Sequence, residues 1–329
     1  PARRRRTIDA MWQALHDAWW RLATQHQPQS FFDDLAARAL TTGSFAYRAA
    51  VTLRNTAYDQ GWTSTVRLPC RVVSVGNLTV GGTGKTTCVA LIAQTLTTLG
   101  ERVAILSRGY GGSRHVYWLK WEAGRLLVNG HETTSAHGLA SAKPDDRVGE
   151  AGLADEPQLL ARQLEGIPVM VGVDRSASGR WACTTFSADT VVMDDGFQHR
   201  RLARDCDIVL VDARMPLGGW PLLPRGPMRE PLQSLARAHV VMVTHAEERF
   251  EMVGALTERL RAYANEATFV TARHEPESLV DSTTGQQQDL QCLEGKRVGL
   301  VSSIGDPQGF EAMVRRLNAQ VLWHRAFPD

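Results

Sequence analysis

Short apolar runs alternate with stretches of helical periodicity along most of the chain after residue 66. The runs are rich in β-branched residues, as expected of strands buried on both faces. Predicted strands span residues 71–75, 103–107, 168–173, 190–193, 207–212, 240–244, 268–271 and 298–301. Predicted helices span residues 86–99, 154–164, 247–261 and 308–317, and another begins at residue 174. Alternation of this kind predicts an α/β fold with a mostly parallel sheet flanked by helices.

Two stretches interrupt this alternation. Residues 116–129 alternate apolar and polar positions around Gly124, which is typical of a β-hairpin, so we predict a hairpin insertion. The polar residues 131–146 that follow predict a mobile loop.

The N-terminal part carries helical patterns only. Residues 7–24 place apolar side chains three and four positions apart, and an arginine run precedes them. This helix lies either on an anionic membrane surface or on the protein's own body, and the segment alone leaves both open. A second helix is predicted over residues 31–58, with an interruption at Gly43. The predicted division is an N-terminal helical region, a core and a C-terminal α/β part, at residues 1–66, 67–245 and 246–329.

Composition narrows the class of protein. The 329 residues are 43% hydrophobic and 22% charged, and a net charge of +2 gives no case for nucleic acid binding. Five scattered cysteines form no Cys-x-x-Cys pair, which favours free thiols in a reducing compartment. No apolar run approaches the ~20 residues that span a bilayer, and no signal core follows the first arginines. Since the chain begins with Pro1, we expect a processed or cut form, and no feature indicates an obligatory protein partner.

The stretch with the clearest chemistry is a glycine-dense turn between a predicted strand and a predicted helix. This is the arrangement of a phosphate-binding loop, with the residues Thr79, Val80, Gly81, Gly82, Thr83, Gly84, Lys85 and Thr86. Lys85 is placed to reach the β- and γ-phosphates of a nucleotide, and the Thr86 hydroxyl to bind Mg²⁺. Thr79 stands where the general pattern has glycine, so the alternative is a glycine-rich turn without a ligand. Only 4 of the 37 basic residues are lysines, and the placement of one of them here favours the nucleotide triphosphate site.

Charged residues follow other predicted strands at the sheet edge where a nucleotide would lie. Arg108 either clamps a phosphate or is a solvated loop residue. Asp194 and Asp195 follow a core strand, as a metal-holding carboxylate does in phosphate-loop enzymes, although Asp-Asp-Gly is also a common turn. Asp155, at a helix start, is by itself more typical of a cap. The long Gly/Pro segment at residues 216–231 predicts a binding loop.

Together, five motifs resemble tetraacyldisaccharide 4′-kinase, the lipid A 4′-kinase family of Gram-negative bacteria. They are GNLTVGGTGKT at 76–86, SRGYG at 107–111, DEP at 155–157, DDGFQH at 194–199 and REP at 229–231. The resemblance covers residue 40 to the end of the chain, and Thr79 is the family's own form. It implies a P-loop NTPase-type kinase that uses ATP and Mg²⁺ to phosphorylate the 4′-hydroxyl of a tetraacyldisaccharide 1-phosphate. The product is lipid IVA, in the synthesis of the lipid A of lipopolysaccharide.

The resemblance also implies a location and roles for single residues. The enzyme is expected at the cytoplasmic face of the bacterial inner membrane as a peripheral protein, with the N-terminal helices on the membrane surface. Asp155 is the implied base for the sugar hydroxyl, Lys85, Asp194 and Asp195 are further catalytic groups, and Thr86 and Asp194 hold the metal. Three arginines, Arg108, Arg175 and Arg229, are implied to meet phosphate charge. Glu156 and Glu230 are implied to organise metal and substrate, and His199 is implied to support the acidic cluster.

The sequence differs from the family pattern at a few positions. Thr87 and Ala154 stand where the family often has proline and glycine, and the chain stops at Asp329, before the family's histidines. One of those histidines is implied to partner the base, so we expect ATP binding with poor turnover. The main rival is a P-loop switch ATPase of the partitioning or carrier type, which usually has lysine where Val80 stands. A nucleotide-dependent metallochaperone would need clustered Cys or His ligands, and the sequence has none.

Overall fold

A ten-stranded sheet forms the centre of the computed structural model, which describes residue 19 and residues 31–109, 116–132, 155–215, 220–247, 249–304 and 306–327. Its strands are β1 (Arg71–Asn77), β2 (Val103–Ser107), β3 (Tyr117–Glu122), β4 (Arg125–Val128), β5 (His131–Glu132), β6 (Val169–Val171), β7 (Thr190–Asp194), β8 (Cys206–Asp212), β9 (Val240–Thr244) and β10 (Thr268–Thr271). Their order across the sheet is β10-β9-β8-β1-β7-β2-β6-β3-β4-β5. From β10 to β6 all neighbouring pairs are parallel, which confirms the predicted α/β architecture.

Six α-helices are described, and those after the first follow the predicted pattern to within a few residues. They are α1 (Phe31–Asp59), α2 (Lys85–Thr98), α3 (Asp155–Gln163), α4 (Arg175–Thr185), α5 (Phe250–Arg261) and α6 (Pro307–Arg316). Short 3-10 helices span Leu232–Arg237 and Leu290–Leu293. Among the described residues, no helix combines the length and apolar character needed to cross a membrane.

The strand that leads to the glycine-rich loop is buried on both faces. One face of the sheet packs with Val89 of α2 and Leu160 of α3 in a single apolar cluster. The opposite face packs with Ala182 of α4 in a second cluster. Burial on both sides explains why this strand reads as a nearly continuous apolar run. It lies between β7 and β8, with Val75 beside Asp194 in the register.

The predicted β-hairpin is confirmed, and it extends the main sheet. β3 pairs antiparallel with β4 around the turn at Gly124, and its other edge pairs antiparallel with β6. His131–Glu132 form the short strand β5 instead of belonging to a loop, and the remainder of the predicted loop lies outside the described residues.

The prediction that Gly43 interrupts the second helix is wrong, because α1 runs without a break from Phe31 to Asp59. Glycine costs about 1 kcal/mol in a helix interior, but here it allows close packing. A Cβ at Gly43 would lie 3.1 Å from Cγ of Pro224. The predicted helix at residues 7–24 lies outside the described residues except for Trp19, whose Nε1 donates to the Pro224 carbonyl at 2.7 Å.

The C-terminal part contains three short or exposed strands that the sequence did not reveal. β13 (Arg297–Ser302) pairs in parallel with β14 (Gln320–Ala326) in a separate two-stranded sheet, and β11 (Leu279–Val280) pairs with β12 (Gln287–Gln288) in another. β14 is mostly exposed, and its short apolar run from Val321 to Trp323 lies between polar residues. Arg214 pairs with Asp306 and so connects the end of β8 to the start of α6. The three-part division of the chain stays a prediction.

Candidate active site

The glycine-rich loop joins β1 to α2 in the geometry of an anion-binding turn. Gly81 and Gly84 have φ values of 102° and 78°, in the left-handed region that other residues rarely adopt. Gly84 is the N-cap of α2 and has no side chain to cap it. The first N–H groups of the helix therefore point, together with its positive dipole end, toward the space above the loop.

Lys85 folds back over this loop. Its Nζ lies 3.4 Å from the Gly81 carbonyl oxygen, near the limit of a hydrogen bond. Burial lowers the pKa of Lys85, and the charges of Asp195, Asp194 and Glu156 act in the opposite direction. The ammonium group thus lies within the field of carboxylates from two other segments of the chain.

Glu156 brings α3 to the loop. Thr86 Oγ1 donates a hydrogen bond of 2.7 Å to Glu156 Oε1, which links the first turns of α2 and α3. Asp155 is the first residue of α3, so its backbone lies beside this contact, while its side chain lies outside the described residues.

Asp194 and Asp195 reach the site from the neighbouring strand β7. Asp194 is buried, and burial together with the charge of Glu156 raises its pKa to about 6. Burial also acts to raise the pKa of Asp195, but the hydrogen bonds and charge of Arg229 outweigh it and leave that pKa below its ordinary value. The turn after β7 packs on the end of β1 so tightly that a Cβ at Gly76 would lie 2.6 Å from Phe197 Cβ.

Arg229 connects the acidic pair to the loop. Its guanidinium binds Asp195 with two hydrogen bonds, of 2.8 and 2.7 Å. The same group donates to the backbone carbonyl and the side chain of Asn77, and Asn77 Nδ2 donates to Thr83 Oγ1 at 2.8 Å. The loop is also paired with the segment that carries this arginine, since Val80 N donates to the Pro227 carbonyl at 2.8 Å. Two residues of the predicted binding segment therefore brace the phosphate loop directly.

Arg175 lies near the same acidic pair, and His199 and Arg108 lie near Arg175. Arg175 opens α4 and is 4% exposed, and burial lowers its pKa against the attraction of Asp194 and Asp195. Burial, with the charges of Arg175 and Arg204, lowers the pKa of His199 to about 4, so its ring is neutral at pH 7. Arg108 is exposed, and its charge acts on Arg175.

Glu230 is placed differently from the other predicted site residues. It is fully buried, and its carboxylate accepts hydrogen bonds of 2.9 Å from Arg54, Asn55 and Arg237. These contacts tie α1 to the segment after Pro227, next to Arg229. The carboxylate of Glu230 is thus engaged in an internal ion-pair network.

A histidine that the sequence did not single out also reaches the phosphate loop. A Cβ at Gly84 would lie 2.9 Å from Cε1 of His274, and the His274 ring lies 5.1 Å from the ring of His245. His245 Nδ1 in turn lies 3.3 Å from Asp212 Oδ2. Both histidines follow the outer strands β9 and β10, so their position at the ligand edge of the sheet was the signal available in the sequence. Asn77 was likewise missed as a site residue, although it lies in the loop motif.

The chain is similar to a family of kinases. The family described as Tetraacyldisaccharide-1-P 4′-kinase matches residues 36–329. A tetraacyldisaccharide 4′-kinase of Anaeromyxobacter dehalogenans is 40% identical over 318 residues, which cover 96% of this chain and 77% of that protein. One of Syntrophus aciditrophicus is 40% identical over 300 residues, covering 89% and 75%. The crystal structure of LpxK from Aquifex aeolicus in complex with ATP superposes with a TM-score of 0.68 at 30% identity, covering 89% of this chain and 82% of that one.

Proposed function

The chain belongs to the tetraacyldisaccharide-1-P 4′-kinase family, and we propose that it transfers the γ-phosphate of ATP to the 4′-hydroxyl of a tetraacyldisaccharide 1-phosphate. The product is lipid IVA, an intermediate of lipid A. The observation that carries the proposal is the convergence of Lys85, the Asp194–Asp195 pair and the start of α3 at one edge of the sheet. Phosphoryl transfer requires positioning and charge neutralisation more than covalent chemistry, and these groups supply both.

The phosphate loop binds the triphosphate of ATP in this proposal. The residues from Thr79 to Thr86 surround the β- and γ-phosphates with backbone N–H groups, and Lys85 neutralises their charge. The positive φ at Gly81 and Gly84 supports this role, because it turns the backbone amides toward one point. ATP in the crystal structure of the Aquifex aeolicus protein supports the choice of nucleotide.

Mg²⁺ fits the oxygen donors beside the loop. Thr86 Oγ1 and the Asp194 carboxylate would hold the ion, and a bound cation would favour the ionised form of Asp194, whose pKa burial and Glu156 raise. In the described part of the chain, no group of three or more His, Cys, Asp or Glu residues could hold a metal by itself. This agrees with an ion bound mainly by phosphates and water, as Mg²⁺ usually is. When bound, it neutralises charge on the β- and γ-phosphates.

Asp155 takes the proton of the sugar 4′-hydroxyl as general base. Its place at the first residue of α3 supports the role, because Glu156 next to it already contacts the loop through Thr86. The guanidinium groups of Arg108 and Arg175 meet phosphate charge, and Arg229 holds Asp195 in place. Neutral His199 and Glu156 support the acidic cluster, and Glu230 orients the segment that carries Arg229.

The enzyme acts as a peripheral protein at the cytoplasmic face of the inner membrane, where its lipid substrate is embedded. Leu35, Phe45 and Leu53 of α1 have more than half of their surface exposed, at 57%, 68% and 65%. Leu35 and Leu53 lie about five turns apart on the same side of the helix, at 3.6 residues per turn. Exposed apolar residues on one helix side support contact with a membrane surface.

A product assay tests the function. The chain is incubated with ATP, Mg²⁺ and the tetraacyldisaccharide 1-phosphate in detergent micelles, and the lipid product is identified by mass spectrometry. We expect the lipid to gain one phosphate, and Asp155→Ala to abolish transfer while the dissociation constant for ATP changes less than about threefold. ATP hydrolysis that is strong without the lipid would instead favour a switch ATPase, and full activity of Asp155→Ala would remove this residue from the base role.

A further inference from the structure

Two cysteines outside the candidate active site lie in direct contact. Cys70 precedes β1, and Cys183 lies in the last turn of α4, 113 positions further along the chain. The Cys183 thiol donates to Cys70 Sγ across 2.8 Å, and both residues are partly exposed. All five cysteines are described, and the thiol–thiol contact among them is that of Cys70 with Cys183.

The packing around this pair holds the two sulfur atoms together. A Cβ at Gly179, one turn before Cys183 in α4, would lie 2.3 Å from Cδ1 of Leu68. Leu68 and Ala182, the residue before Cys183, are buried in the same apolar cluster, and Cys70 packs against it. Close packing between α4 and the segment that leads into β1 therefore holds both thiols in place.

We propose that Cys70 and Cys183 are a site of reversible oxidation that forms a disulfide when the protein meets a peroxide. A disulfide bond is about 2.05 Å long, so closure of the contact requires less than 1 Å of sulfur movement, within reach of small side-chain rotations. The proposal does not rest on the kinase activity, because it concerns the thiols alone. The reduced form is the resting state in a reducing compartment.

The reaction consumes one peroxide for each disulfide. The Cys183 thiol loses its proton, and its sulfur attacks one peroxide oxygen, which breaks the O–O bond, releases water and leaves a sulfenic acid. The sulfur of Cys70 then attacks the sulfenic sulfur, the S–S bond forms, and the departing hydroxide takes the Cys70 proton as a second water. Two electrons pass from the sulfur pair to the peroxide. Burial and the neighbouring Cys183 thiol raise the pKa of Cys70 to about 12, which keeps Cys70 protonated and leaves Cys183 as the thiol that meets the peroxide first.

The cross-link would join two elements that lead into the active site. β1 ends at the phosphate loop, and α4 begins with Arg175 beside Asp194. Because the disulfide would close a loop of more than a hundred residues, it removes conformational freedom from the unfolded chain. We therefore expect the oxidised protein to unfold at a higher temperature than the reduced protein.

Peptide mapping of the folded protein tests the proposal. The full chain is treated with hydrogen peroxide, free thiols are blocked with N-ethylmaleimide under denaturing conditions, and a digest is analysed by mass spectrometry with and without dithiothreitol. We expect a dithiothreitol-sensitive peptide pair that joins Cys70 to Cys183, and a rise in Tm of several degrees. Cys183→Ser should lose both effects, whereas Cys206→Ser, a half-buried cysteine elsewhere in the sheet, should keep both.

Two results would overturn the proposal. One is alkylation of both Cys70 and Cys183 after peroxide treatment of the folded protein. The other is oxidation of either residue to sulfinic acid without the cross-linked peptide. A Cys70→Ser variant that keeps the reduced Tm of the unmodified chain shows that loss of the cross-link in the variants does not reflect misfolding.

Discussion

Two neighbouring carboxylates at the candidate active site have opposite electrostatic environments. Asp194 is buried near Glu156, so its ionised form is unfavourable in the folded protein. Asp195 receives two hydrogen bonds from Arg229, so its ionised form is favoured. Adjacent residues of one strand end therefore contribute to folding stability with opposite sign at neutral pH.

Asp194→Asn should stabilise the protein while it removes activity. The raised pKa means that the folded state holds the proton more tightly than the unfolded state, so stability falls as pH rises from about 4 to about 6. The change from 3.8 to about 6 corresponds to about 3 kcal/mol at pH 8, an upper bound for the gain. Urea unfolding of the variant and the unmodified chain should show a higher free energy of unfolding for the variant at pH 8. The difference should be about half as large at pH 5.

The matched control is Asp195→Asn. Its pKa is depressed in the folded state, so its ionised form adds stability above the unfolded pKa, and this is lost as pH falls. We expect this variant to lose about 1 kcal/mol at pH 8, the usual magnitude for a hydrogen-bonded contact of a half-exposed group. Destabilisation of both variants at pH 8 would contradict the assigned environments.

Gly84→Ala should damage ATP binding more than stability alone can explain. The residue has φ of 78°, and a Cβ there would lie 2.9 Å from the His274 ring. Gly100 also has positive φ, at 89°, but a Cβ there meets nothing within 4 Å. We expect each alanine to cost about 1 kcal/mol of stability, and only Gly84→Ala to raise the ATP dissociation constant at least tenfold, measured by calorimetry. Equal ATP affinity in the two variants would show that His274 gives way without cost.

At the scale of single residues, the sequence predicted the loop and the acidic pair but not all their partners. Lys85, Thr86 and Asp194 lie in local motifs, so neighbouring residues identify them. Asn77 lies in the loop motif, but its contact with Arg229 joins distant segments, and so does the contact of His274 with Gly84. For His245 and His274 the sequence offered only their position after outer strands. For Glu230, the local motif predicted a site residue, but the structure places its carboxylate in ion pairs with Arg54 and Arg237. Those partners lie on other elements, so the motif could not reveal them.

At the scale of elements, α1 is fastened to the segment that carries Arg229. Tyr47 donates to the Arg229 carbonyl at 3.0 Å, and Ser44 donates to the Leu222 carbonyl at 2.9 Å. Arg54 and Asn55 bind Glu230 from the same helix. A shift of α1 would therefore move the backbone beside Arg229, and with it the contact to Asp195.

Glu230→Gln should lower both stability and turnover. Removal of the charge leaves two arginines without their buried partner, which costs about 3 kcal/mol. The rate of transfer should fall as Arg229 loses its support, while ATP affinity changes little because Lys85 and the loop are intact. Urea unfolding, a product assay and ATP calorimetry measure the three quantities.

Glu258→Gln is the control for this variant. Glu258 pairs with Arg261 on the surface and is 78% exposed, so its loss should change stability by less than about 0.5 kcal/mol. An equal loss in the two variants would mean that the buried network contributes nothing beyond a surface ion pair.

The boundaries of strands were predictable from the sequence where the strands are buried in the core and form apolar runs. The parallel strands are buried on both faces, and their apolar runs mark them clearly. The helix break at Gly43 was wrong because the sequence does not show the proline against which this glycine packs. β14 was missed because its apolar run, Val321 to Trp323, is short, lies between polar residues and is mostly exposed.

At the scale of the whole molecule, α1 carries exposed apolar residues on one side and contacts the candidate active site with another side. Phe45 and Leu53 face outward, while Tyr47 and Arg54 face the segment of Arg229. Contact with a bilayer would thus place the site beside the surface in which a lipid acceptor lies.

Replacement of Phe45 and Leu53 by glutamine should weaken this contact. Both side chains are exposed, so the changes should leave the unfolding temperature within about 2 °C, while the removal of apolar surface reduces partition into vesicles severalfold. Sedimentation with vesicles that contain anionic lipid measures the bound fraction. Val270→Gln and Val280→Gln, exposed apolar positions outside α1, provide the comparison, and equal binding by the two double variants would argue against contact through α1.

The order of strands has a consequence for synthesis on the ribosome. β1 lies between β7 and β8, and more than a hundred residues separate Asn77 from Thr190. Both edges of β1 stay unpaired until those residues have left the exit tunnel, which exposes a Val-rich strand to other nascent chains. Contacts of such long range also slow folding. Nucleotide binding is therefore acquired late in translation, and chaperones that shield strand edges should matter most while the first half of the chain waits for the second.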